Sequence, residues 1–465
     1  MIQIPIRSIC HVLAVAVLLA LATSSAVGAA PVLMISIDGM KPEYVLEAES
    51  RGLKVPYLRS LMSSGVYADG VIGVWPTVTY PSHTTLVTGV TPAKHGILAN
   101  LEFDPLHHFD AAWFWYAPQI RVPTLWEAAH AAGVVTASVG WPVTVGATNV
   151  DYLIPEYWRI TGATQDLNSA DRFLMDALSR PVGLLAQLQA SLGSYLMGND
   201  TSLQGDEIKT RFAIAIIRDH KPGFMTIHLS SLDETEHAYG VFSTQANQDL
   251  EAIDAMIARL ATAARANDPA TVLVVVSDHG FAPITHHVNL YVPFVQAGLM
   301  QMTRDPETQA PTITAWKAQP WLASGMAAIM LKDPGDWRTE QVAGELLRKL
   351  AADPNNGIAS VLNREEIKRS GGFPDAAYVV SLRPGYYAAD RMTGDLVSEM
   401  PGSHGGHGFS PELPEMRAAF FISGQNISHH RDLGVIDMRQ IAPTLAQLLG
   451  VPLPTAKAVP LQVTP

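Results

Sequence analysis

The residues of this sequence best suited to chemistry are aspartates and histidines that stand directly after apolar runs. Asp38 follows the run 32–37 (VLMISI), and Asp278 with His279 follows the run 271–276 (TVLVVV) after a single serine. Continuous apolar runs of this length are typical of buried parallel strands. The carboxyl ends of such strands lie at one edge of a sheet, where ligands gather. We therefore expect these side chains to lie close together.

Two further groups extend this candidate site. Asp233 and His237 lie four residues apart, shortly after the run 224–229 (FMTIHL). His407 lies in the glycine-rich stretch 402–409 (GSHGGHGF), and glycine allows a backbone to approach a ligand closely. Each fragment alone is common in turns and helix caps. Their joint occurrence, in this order and after strand-like runs, indicates one site.

Three carboxylates and three imidazoles at one sheet edge are electrostatically unfavourable unless a cation lies between them. Aspartate and histidine are ligands of Zn²⁺ in hydrolytic sites. Six such ligands suffice for two metal ions that clamp the attacking and the leaving oxygen of a displacement. The sequence therefore predicts a two-metal site.

A candidate nucleophile lies in the hydroxyl-rich stretch 75–89 (WPTVTYPSHTTLVTG). It carries five threonines and one serine. A threonine hydroxyl is a weak nucleophile unless a base or a metal ion activates it. The stretch alone does not indicate which hydroxyl reacts, and a polar loop is the alternative interpretation.

The elements that must position these side chains follow one pattern. Strand-like runs alternate with helical periodicity, as in 56–64 and 247–264, and acidic residues follow the strands. This alternation predicts an α/β fold, a doubly wound and mainly parallel sheet with helices on both faces. Two segments interrupt the pattern, so we expect an inserted cap and a small subdomain. The predicted divisions are a core of 31–141, 206–289 and 376–465, a cap of 142–205, and a subdomain of 290–375.

The first residues read as a targeting segment. Residues 1–30 combine Arg7, the apolar stretch 12–21 and the small residues 26–30, which predicts a signal peptide and a periplasmic or secreted protein. An uncleaved anchor is the alternative. The single cysteine, Cys10, lies in this segment, so no disulfide is expected in the mature chain. We expect no membrane span after signal removal.

The charge balance limits the partners of this protein. The chain of 465 residues carries 31 lysines and arginines against 43 aspartates and glutamates, a formal net charge of −12. A broad basic face for nucleic acid is therefore not expected. The oligomeric state stays open at this stage.

The sequence resembles the nucleotide pyrophosphatase/phosphodiesterase family of the alkaline phosphatase superfamily. Six ordered stretches carry the resemblance across most of the chain: 32–39 (VLMISIDG), 75–100 (WPTVTYPSHTTLVTGVTPAKHGILAN), 233–240 (DETEHAYG), 277–281 (SDHGF), 405–409 (GGHGF) and 417–422 (RAAFFI). The resemblance implies an alkaline phosphatase-like fold. It also implies two Zn²⁺ per chain.

The resemblance further implies a role for each matching residue. Thr79 corresponds to the nucleophile, which would form a phosphothreonine intermediate. The expected ligands of one zinc are Asp38, Thr79, Asp278 and His279. The expected ligands of the other are Asp233, His237 and His407. His404 is a rival of His407, but only His407 precedes the family's glycine–aromatic pair.

Three further residues are implied in substrate binding. Asn100 corresponds to the asparagine that binds a phosphoryl oxygen, and Tyr80 to the aromatic side chain that stacks on a nucleobase. A second aromatic residue is expected five positions before the metal-binding Asp233, where this chain has His228. The cap could supply additional aromatic walls, namely Trp141, Tyr152, Tyr157 and Trp158.

The expected activity is hydrolysis of small phosphodiesters or nucleotide pyrophosphates. A sulfatase is disfavoured because Thr79 takes the place of the required cysteine or serine. Related phosphomonoesterases use a nearby lysine or arginine, yet residues 141–165 contain only Arg159, which favours a diester. A phosphomonoesterase or phosphonate hydrolase is the alternative. A non-catalytic zinc-binding protein is a third possibility.

Overall fold

A computed structural model describes residues 29–106, 112–158, 169–307 and 309–465. Most of the predicted signal peptide (1–30) and Arg159 lie outside the described residues. Among the helices of the described ranges, none is both long and apolar enough to cross a membrane.

The protein contains nineteen strands in the described residues. They are β1 Val32–Ile37, β2 Val66–Tyr67, β3 Gly70–Ile72, β4 Thr136–Val139, β5 Tyr152–Ile154, β6 Phe224–Leu229, β7 Val272–Val276, β8 Ala282–Asn289, β9 Met300–Arg304, β10 Pro311–Trp316, β11 Ala318–Ala323, β12 Met326–Leu331, β13 Ile358–Asn363, β14 Tyr378–Leu382, β15 Gly385–Ala389, β16 Val397–Gly406, β17 Phe420–Ser423, β18 Arg431–Asp432 and β19 Val435–Asp437. Eight of them form the central sheet in the order β18-β2-β17-β7-β1-β6-β4-β5. The five strands from β7 to β5 are all mutually parallel.

Fifteen α-helices accompany these strands in the described residues. They are α1 Glu43–Leu46, α2 Ala48–Arg51, α3 Pro56–Ser64, α4 Thr79–Thr88, α5 Pro92–His95, α6 Leu125–Ala131, α7 Ser169–Leu178, α8 Leu184–Leu192, α9 Leu203–His220, α10 Ser231–Tyr239, α11 Thr244–Asn267, α12 Tyr291–Gln296, α13 Trp337–Ala351, α14 Arg364–Ser370 and α15 Ile441–Leu449. Short 3₁₀ turns lie at Ala117–Gln119, Leu196–Asn199, Pro354–Asn356, Pro414–Met416 and Met438–Gln440.

The central strands are apolar on both faces because helices cover both faces of the sheet. Within β1, Leu33 and Ile35 belong to one hydrophobic core, and Val32 and Met34 belong to the other. Side chains alternate between the faces of a strand, so such a strand needs apolar residues at every position. This arrangement confirms the predicted doubly wound, mainly parallel α/β fold.

The two interrupting segments differ in how they meet the core. Within 142–205, strand β5 joins the central sheet at its edge, and α7 and α8 follow it. Within 290–375, β11, β12 and β13 form a four-stranded antiparallel sheet with β14. The predicted divisions between core, cap and subdomain remain predictions.

Candidate active site

The three predicted carboxylates lie at the carboxyl edge of the central sheet. Asp38 directly follows β1, Asp278 follows β7, and Asp233 lies in the first turn of α10, which begins just after β6. Strand β1 pairs with both β6 and β7, so the three strand ends are neighbours. The local backbone also ties them together, because the Gly39 N–H donates to Asp278 Oδ1 at 3.1 Å.

Gly39 meets two requirements of this edge. Its φ of +72° lies in the left-handed region that favours glycine. A Cβ at this position would lie 2.6 Å from Phe281 Cε2 and 3.0 Å from Glu236 Oε2. The glycine after Asp38 is therefore needed both for the turn and for the close approach of α10 and the segment after β7.

The three histidines are oriented alike by backbone carbonyls. His237 Nδ1 lies 3.0 Å from the Gly405 carbonyl oxygen, and His407 Nδ1 lies 3.2 Å from that of Thr77. His279 Nδ1 lies 3.3 Å from the carbonyl oxygen of the next residue. A carbonyl can only accept, so each Nδ1 donates, and a neutral ring then directs a lone pair from Nε2. Histidines that bind metals are commonly fixed through their other nitrogen in this way.

Each of these Nε2 atoms faces a carboxylate oxygen. His279 Nε2 lies 3.1 Å from Asp278 Oδ2 and 3.5 Å from Asp38 Oδ1. Asp233 Oδ2 lies 3.5 Å from His237 Nε2, and Asp233 Oδ1 lies 3.8 Å from His407 Nε2. Lone pairs that converge in this way repel one another unless a cation lies between them.

Burial makes this arrangement unfavourable without a cation. It raises the pKa of the Asp38 and Asp278 carboxyls well above their usual range, and neighbouring carboxylates raise both further. It also lowers the pKa of His279 and His407 well below the usual value. Several buried atoms have no hydrogen-bond partner among the described residues, namely Asp38 Oδ1, Asp233 Oδ1, Asp278 Oδ2 and His279 Nε2. These residues therefore fit divalent metal ions.

The structure brings the six predicted ligands together but groups them differently from the expected sets. One compact group is Asp38, Asp278 and His279, as expected. The other is Asp233, His407 and again His279, whose ring stacks on that of His407 at 3.8 Å. His279 therefore lies between the two groups. His237 adjoins the second group through Asp233.

Thr79 is the first residue of helix α4, at the same edge of the sheet. The preceding Val78 supplies no side-chain cap. The helix dipole makes such an end suitable for an anion such as a phosphoryl group. The Tyr80 N–H donates to Asn100 Oδ1 at 2.9 Å, so Asn100 lies beside this end. Thr79 and Asn100 line the same cavity as Asp38, Asp233, His237 and His407.

The other threonine hydroxyls of 75–89 donate to backbone carbonyls, and Ser82, whose hydroxyl is buried without a partner among the described residues, does not line the cavity. Thr77 Oγ1 donates to the Phe409 carbonyl at 2.7 Å, and Thr84 Oγ1 to the Tyr80 carbonyl at 2.8 Å. Thr85 Oγ1 donates to the Val90 carbonyl at 3.0 Å. The rival His404 places both ring nitrogens beside backbone carbonyls, those of His237 and Pro401. These contacts leave Thr79 as the hydroxyl best placed to react.

The cavity has a volume of about 660 Å³ and one aromatic wall. Tyr80, Trp113 and Trp158 line this wall, and the ring centroids of Tyr80 and Trp113 lie 5.1 Å apart. The other cap aromatics considered from the sequence lie elsewhere. Trp141 is buried against His83, Tyr152 stacks on His220, and Tyr157 packs on Trp115.

His228 lines the cavity and is bonded through both ring nitrogens. Its Nε2 lies 3.0 Å from Asp38 Oδ2, and its Nδ1 lies 2.9 Å from Glu156 Oε2. The other oxygen of Glu156 accepts from the Tyr80 hydroxyl at 2.6 Å. A continuous chain of hydrogen bonds therefore joins Tyr80, Glu156, His228 and Asp38.

Sequence reasoning missed Glu156 and a buried group formed by Asp206, Lys209 and Ser230. Glu156 and Lys209 both line the cavity. One signal for the second group exists in the sequence, because an aspartate and a lysine three residues apart fall among the apolar positions of α9. For Glu156 no comparable signal exists in the local sequence.

These features define an α/β protein with an alkaline phosphatase-like fold. Its cavity combines a cluster of carboxylates and imidazoles suited to metal ions with a threonine hydroxyl at a helix N-terminus. The family model for type I phosphodiesterase/nucleotide pyrophosphatase matches residues 32–410. The chain belongs to this family of phosphodiester and nucleotide pyrophosphate hydrolases.

Individual relatives are distant in sequence. Human ectonucleotide pyrophosphatase/phosphodiesterase family member 1 is 23% identical over 262 residues, which cover 54% of this chain and 23% of the relative. A Caenorhabditis elegans ectonucleotide pyrophosphatase/phosphodiesterase is 23% identical over 406 residues, covering 85% of this chain and 43% of the relative. The chain thus matches less than half the length of these relatives.

The fold itself is shared with solved structures. Human ectonucleotide pyrophosphatase/phosphodiesterase 5 matches with a TM-score of 0.63 and 18% identity, covering 91% of this chain and 95% of that chain. The murine counterpart, an inactive threonine-to-alanine variant in complex with AMP, matches with a TM-score of 0.62 and 19% identity, covering 91% of this chain and 96% of that chain.

Proposed function

We propose that this protein is an exported phosphodiesterase or nucleotide pyrophosphatase that uses two zinc ions and a phosphothreonine intermediate at Thr79. One observation carries the proposal. Carboxylates with buried oxygens that have no hydrogen-bond partner among the described residues, those of Asp38 and Asp233, line the same cavity as Thr79 at the N-terminal end of α4. The family membership supports the same reaction class.

The ligands can be assigned from the side chains present. Asp38, Asp278 and His279 would hold one zinc together with Thr79, while Asp233, His237 and His407 would hold the other. When bound, the zinc ions would lower the pKa of the Thr79 hydroxyl and neutralise charge on the phosphoryl oxygens. The carbonyl contacts of the histidines keep their Nε2 atoms available for this purpose.

The residues of the chain then perform two displacements. Thr79 Oγ attacks phosphorus, the bond from phosphorus to the leaving oxygen breaks, and the alcohol or phosphate departs. In the second displacement, water attacks the phosphothreonine and the bond from phosphorus to Thr79 Oγ breaks. The Asn100 amide and the Thr79 N–H at the start of α4 would donate hydrogen bonds to the phosphoryl oxygens in both steps.

A nucleotide substituent fits the aromatic wall of the cavity. Tyr80 is held at its hydroxyl by Glu156, so its ring has a fixed position for stacking on a base. His228 would border the same slot. The related murine protein crystallised with AMP as an inactive threonine-to-alanine variant, which supports both a nucleotide ligand and a reactive threonine in the family.

The proposal is tested by metal content, turnover and trapping of the intermediate. We expect two zinc ions per chain by elemental analysis and hydrolysis of bis(p-nitrophenyl) phosphate. Thr79→Ala should abolish turnover, and acid quenching of the native enzyme with this substrate should trap a p-nitrophenyl phosphoryl group on Thr79. Thr88→Val is the matched control, because it removes a hydroxyl of the same helix that only donates to the Thr84 carbonyl.

Three results would contradict parts of the proposal. Full turnover by Thr79→Ala would exclude the covalent intermediate, and fewer than two metal ions per active chain would exclude the two-metal site. If the native protein shows no turnover and Thr79→Ala binds zinc as the native protein does, the non-catalytic alternative would be favoured. Export is tested separately by the cellular fraction that holds the protein and by its mature N-terminus.

A further inference from the structure

A lysine lies in the wall of the active-site cavity although its side chain is almost completely buried. Lys209 belongs to α9, and only 4% of the residue is accessible to solvent. Its Nζ donates to Asp206 Oδ1 and to Ser230 Oγ, both at 2.9 Å. Lys209 and Ser230 both line the cavity that contains Thr79 and Asp38.

The fold fixes this ammonium group at the carboxyl end of β6. Asp206 accepts the N–H groups of Ser230 at 3.0 Å and of Ser231 at 2.9 Å, so it anchors the segment between β6 and α10. The same carboxylate holds Lys209 beside that segment. The lysine stem passes over Gly140, where a Cβ would lie 3.2 Å from Lys209 Cδ. Lys209 Nζ therefore lies beside Ser230, which stands in the sequence between His228 and the proposed metal ligand Asp233.

This pair offers hydrogen-bond donors to the cavity. An ammonium group has three donors, and two of those of Lys209 are used by Asp206 and Ser230. Ser230 Oγ accepts from Lys209, and no described residue accepts its hydroxyl hydrogen. One donor of each residue is thus available to a ligand. Among the described residues lining the cavity, Lys209 is the sole lysine or arginine, whereas Glu156 and Glu234 are acidic.

We propose that Lys209 and Ser230 form a subsite for a second anionic group of the substrate, in addition to the phosphoryl group at Thr79. The inference rests on the proposed function, because it places the phosphoryl group at Thr79. The second anion is either an additional oxygen on the transferred phosphoryl group, as in a monoester, or a further phosphate on the substrate. A charge-assisted hydrogen bond from a fixed ammonium group suits both sources.

The test measures binding of two inorganic anions to the zinc-loaded protein by calorimetry. Lys209→Met should raise the Kd of inorganic pyrophosphate roughly 10- to 100-fold, as expected for loss of a hydrogen bond to a charged group. Ser230→Ala should raise it less. An equal effect on inorganic phosphate would indicate the additional phosphoryl oxygen, and an effect confined to pyrophosphate would indicate the further phosphate.

Two controls keep the result interpretable. Lys349→Met removes an exposed lysine of α13 and should leave both Kd values unchanged. Because Lys209→Met leaves Asp206 buried without its cation, the double variant Asp206→Asn, Lys209→Met is measured as well, with thermal unfolding of each variant. Unchanged affinity for both anions in a folded variant would overturn the inference.

Kinetics separate this inference from the proposed function. Thymidine 5′-monophosphate p-nitrophenyl ester carries one negative charge, whereas thymidine 5′-triphosphate and p-nitrophenyl phosphate carry more. Lys209→Met should lower kcat/KM for one or both of the latter and leave the former within about threefold. A uniform loss on all three substrates would overturn the subsite. Absence of turnover by the native protein would contradict the proposed function alone, because anion binding still tests Lys209.

Discussion

Replacing Asn100 by aspartate gives the sharpest test of how the site holds the phosphoryl group. Asn100 Oδ1 accepts the Tyr80 N–H at 2.9 Å, which leaves its amide nitrogen as a donor to the cavity. Asn100→Asp has the same shape and keeps an oxygen for the Tyr80 N–H. It replaces the donor by a second oxygen with negative charge, so the change affects the ligand more than the fold.

The expected loss has two parts. Loss of one donor to the transition-state oxygens costs about 3 kcal/mol. A new negative charge about 4 Å from the phosphoryl group adds about 4 kcal/mol at an effective dielectric constant near 20. Together these terms lower kcat/KM roughly 10⁵-fold. Asn100→Ala loses the donor without adding charge and frees the Tyr80 N–H for the substrate, so we expect only a roughly 10²-fold loss.

The assay compares kcat/KM for bis(p-nitrophenyl) phosphate in the native enzyme and both variants. All three proteins are measured at equal zinc content and at a temperature well below their Tm. We expect kcat/KM to decrease from the native enzyme to Asn100→Ala and again from Asn100→Ala to Asn100→Asp. An aspartate variant as active as the alanine variant would refute the reasoning, because it would show that the amide nitrogen does not face the phosphoryl oxygens.

Three further predictions concern stability. Gly39→Ala should lower the free energy of unfolding in urea by more than about 2 kcal/mol, because it combines left-handed backbone strain with a close contact to Phe281. The control Gly52→Ala, at a similar φ but with open space around the Cβ, should lower it by only about 1 kcal/mol. Equal losses would contradict the argument from the Phe281 contact. Burial lowers the pKa of His95 to about 3, so its neutral form is favoured in the fold and its contribution is complete above pH 6.5 and lost as pH falls towards 3. At pH 5 the native protein should therefore lose about 2 kcal/mol that His95→Asn does not lose, and parallel pH profiles would refute this. Removal of the metal ions by a chelator should lower Tm more at pH 8 than at pH 5. Burial raises the pKa of the Asp38 and Asp278 carboxyls, so the metal-free fold loses stability as pH rises through these raised pKa values. An equal decrease in Tm at both pH values would count against the metal site.

The core strands and the polar cluster were predictable because each depends on a local pattern. A run such as 32–37 has no polar residue except Ser36, and the aspartate that follows it marks the strand end. Parallel pairing then brings Asp38 and Asp278 to one edge whatever the length of the intervening chain. The distribution of ligands between the two groups was not predictable, since the shared position of His279 depends on its stacking against His407.

Helix α4 illustrates what local patterns do not predict. Its sequence, TYPSHTTLVT, lacks an amphipathic pattern and contains Pro81, so it resembles a polar loop. It forms a helix because it is buried on every side. The hydroxyls of Thr84 and Thr88 can be buried there because they donate to carbonyls four residues earlier. Pro81 lies in the first turn, where a missing N–H costs nothing. Tertiary burial therefore decides this element and the orientation of Thr79.

The bonds of His228 bear on how the cavity selects its substrate. Both ring nitrogens are engaged, and the ring of His83 lies edge-on at 4.5 Å, so His228 can contribute only its remaining ring surface to a slot. The larger aromatic surface at the cavity comes from Trp113 and Trp158, which meet edge-to-face at 5.0 Å. Because Glu156 fixes both Tyr80 and His228, a change at Glu156 should alter the position of the slot and of Asp38 together. We therefore predict that substrate selection and metal geometry are coupled through the Glu156 carboxylate.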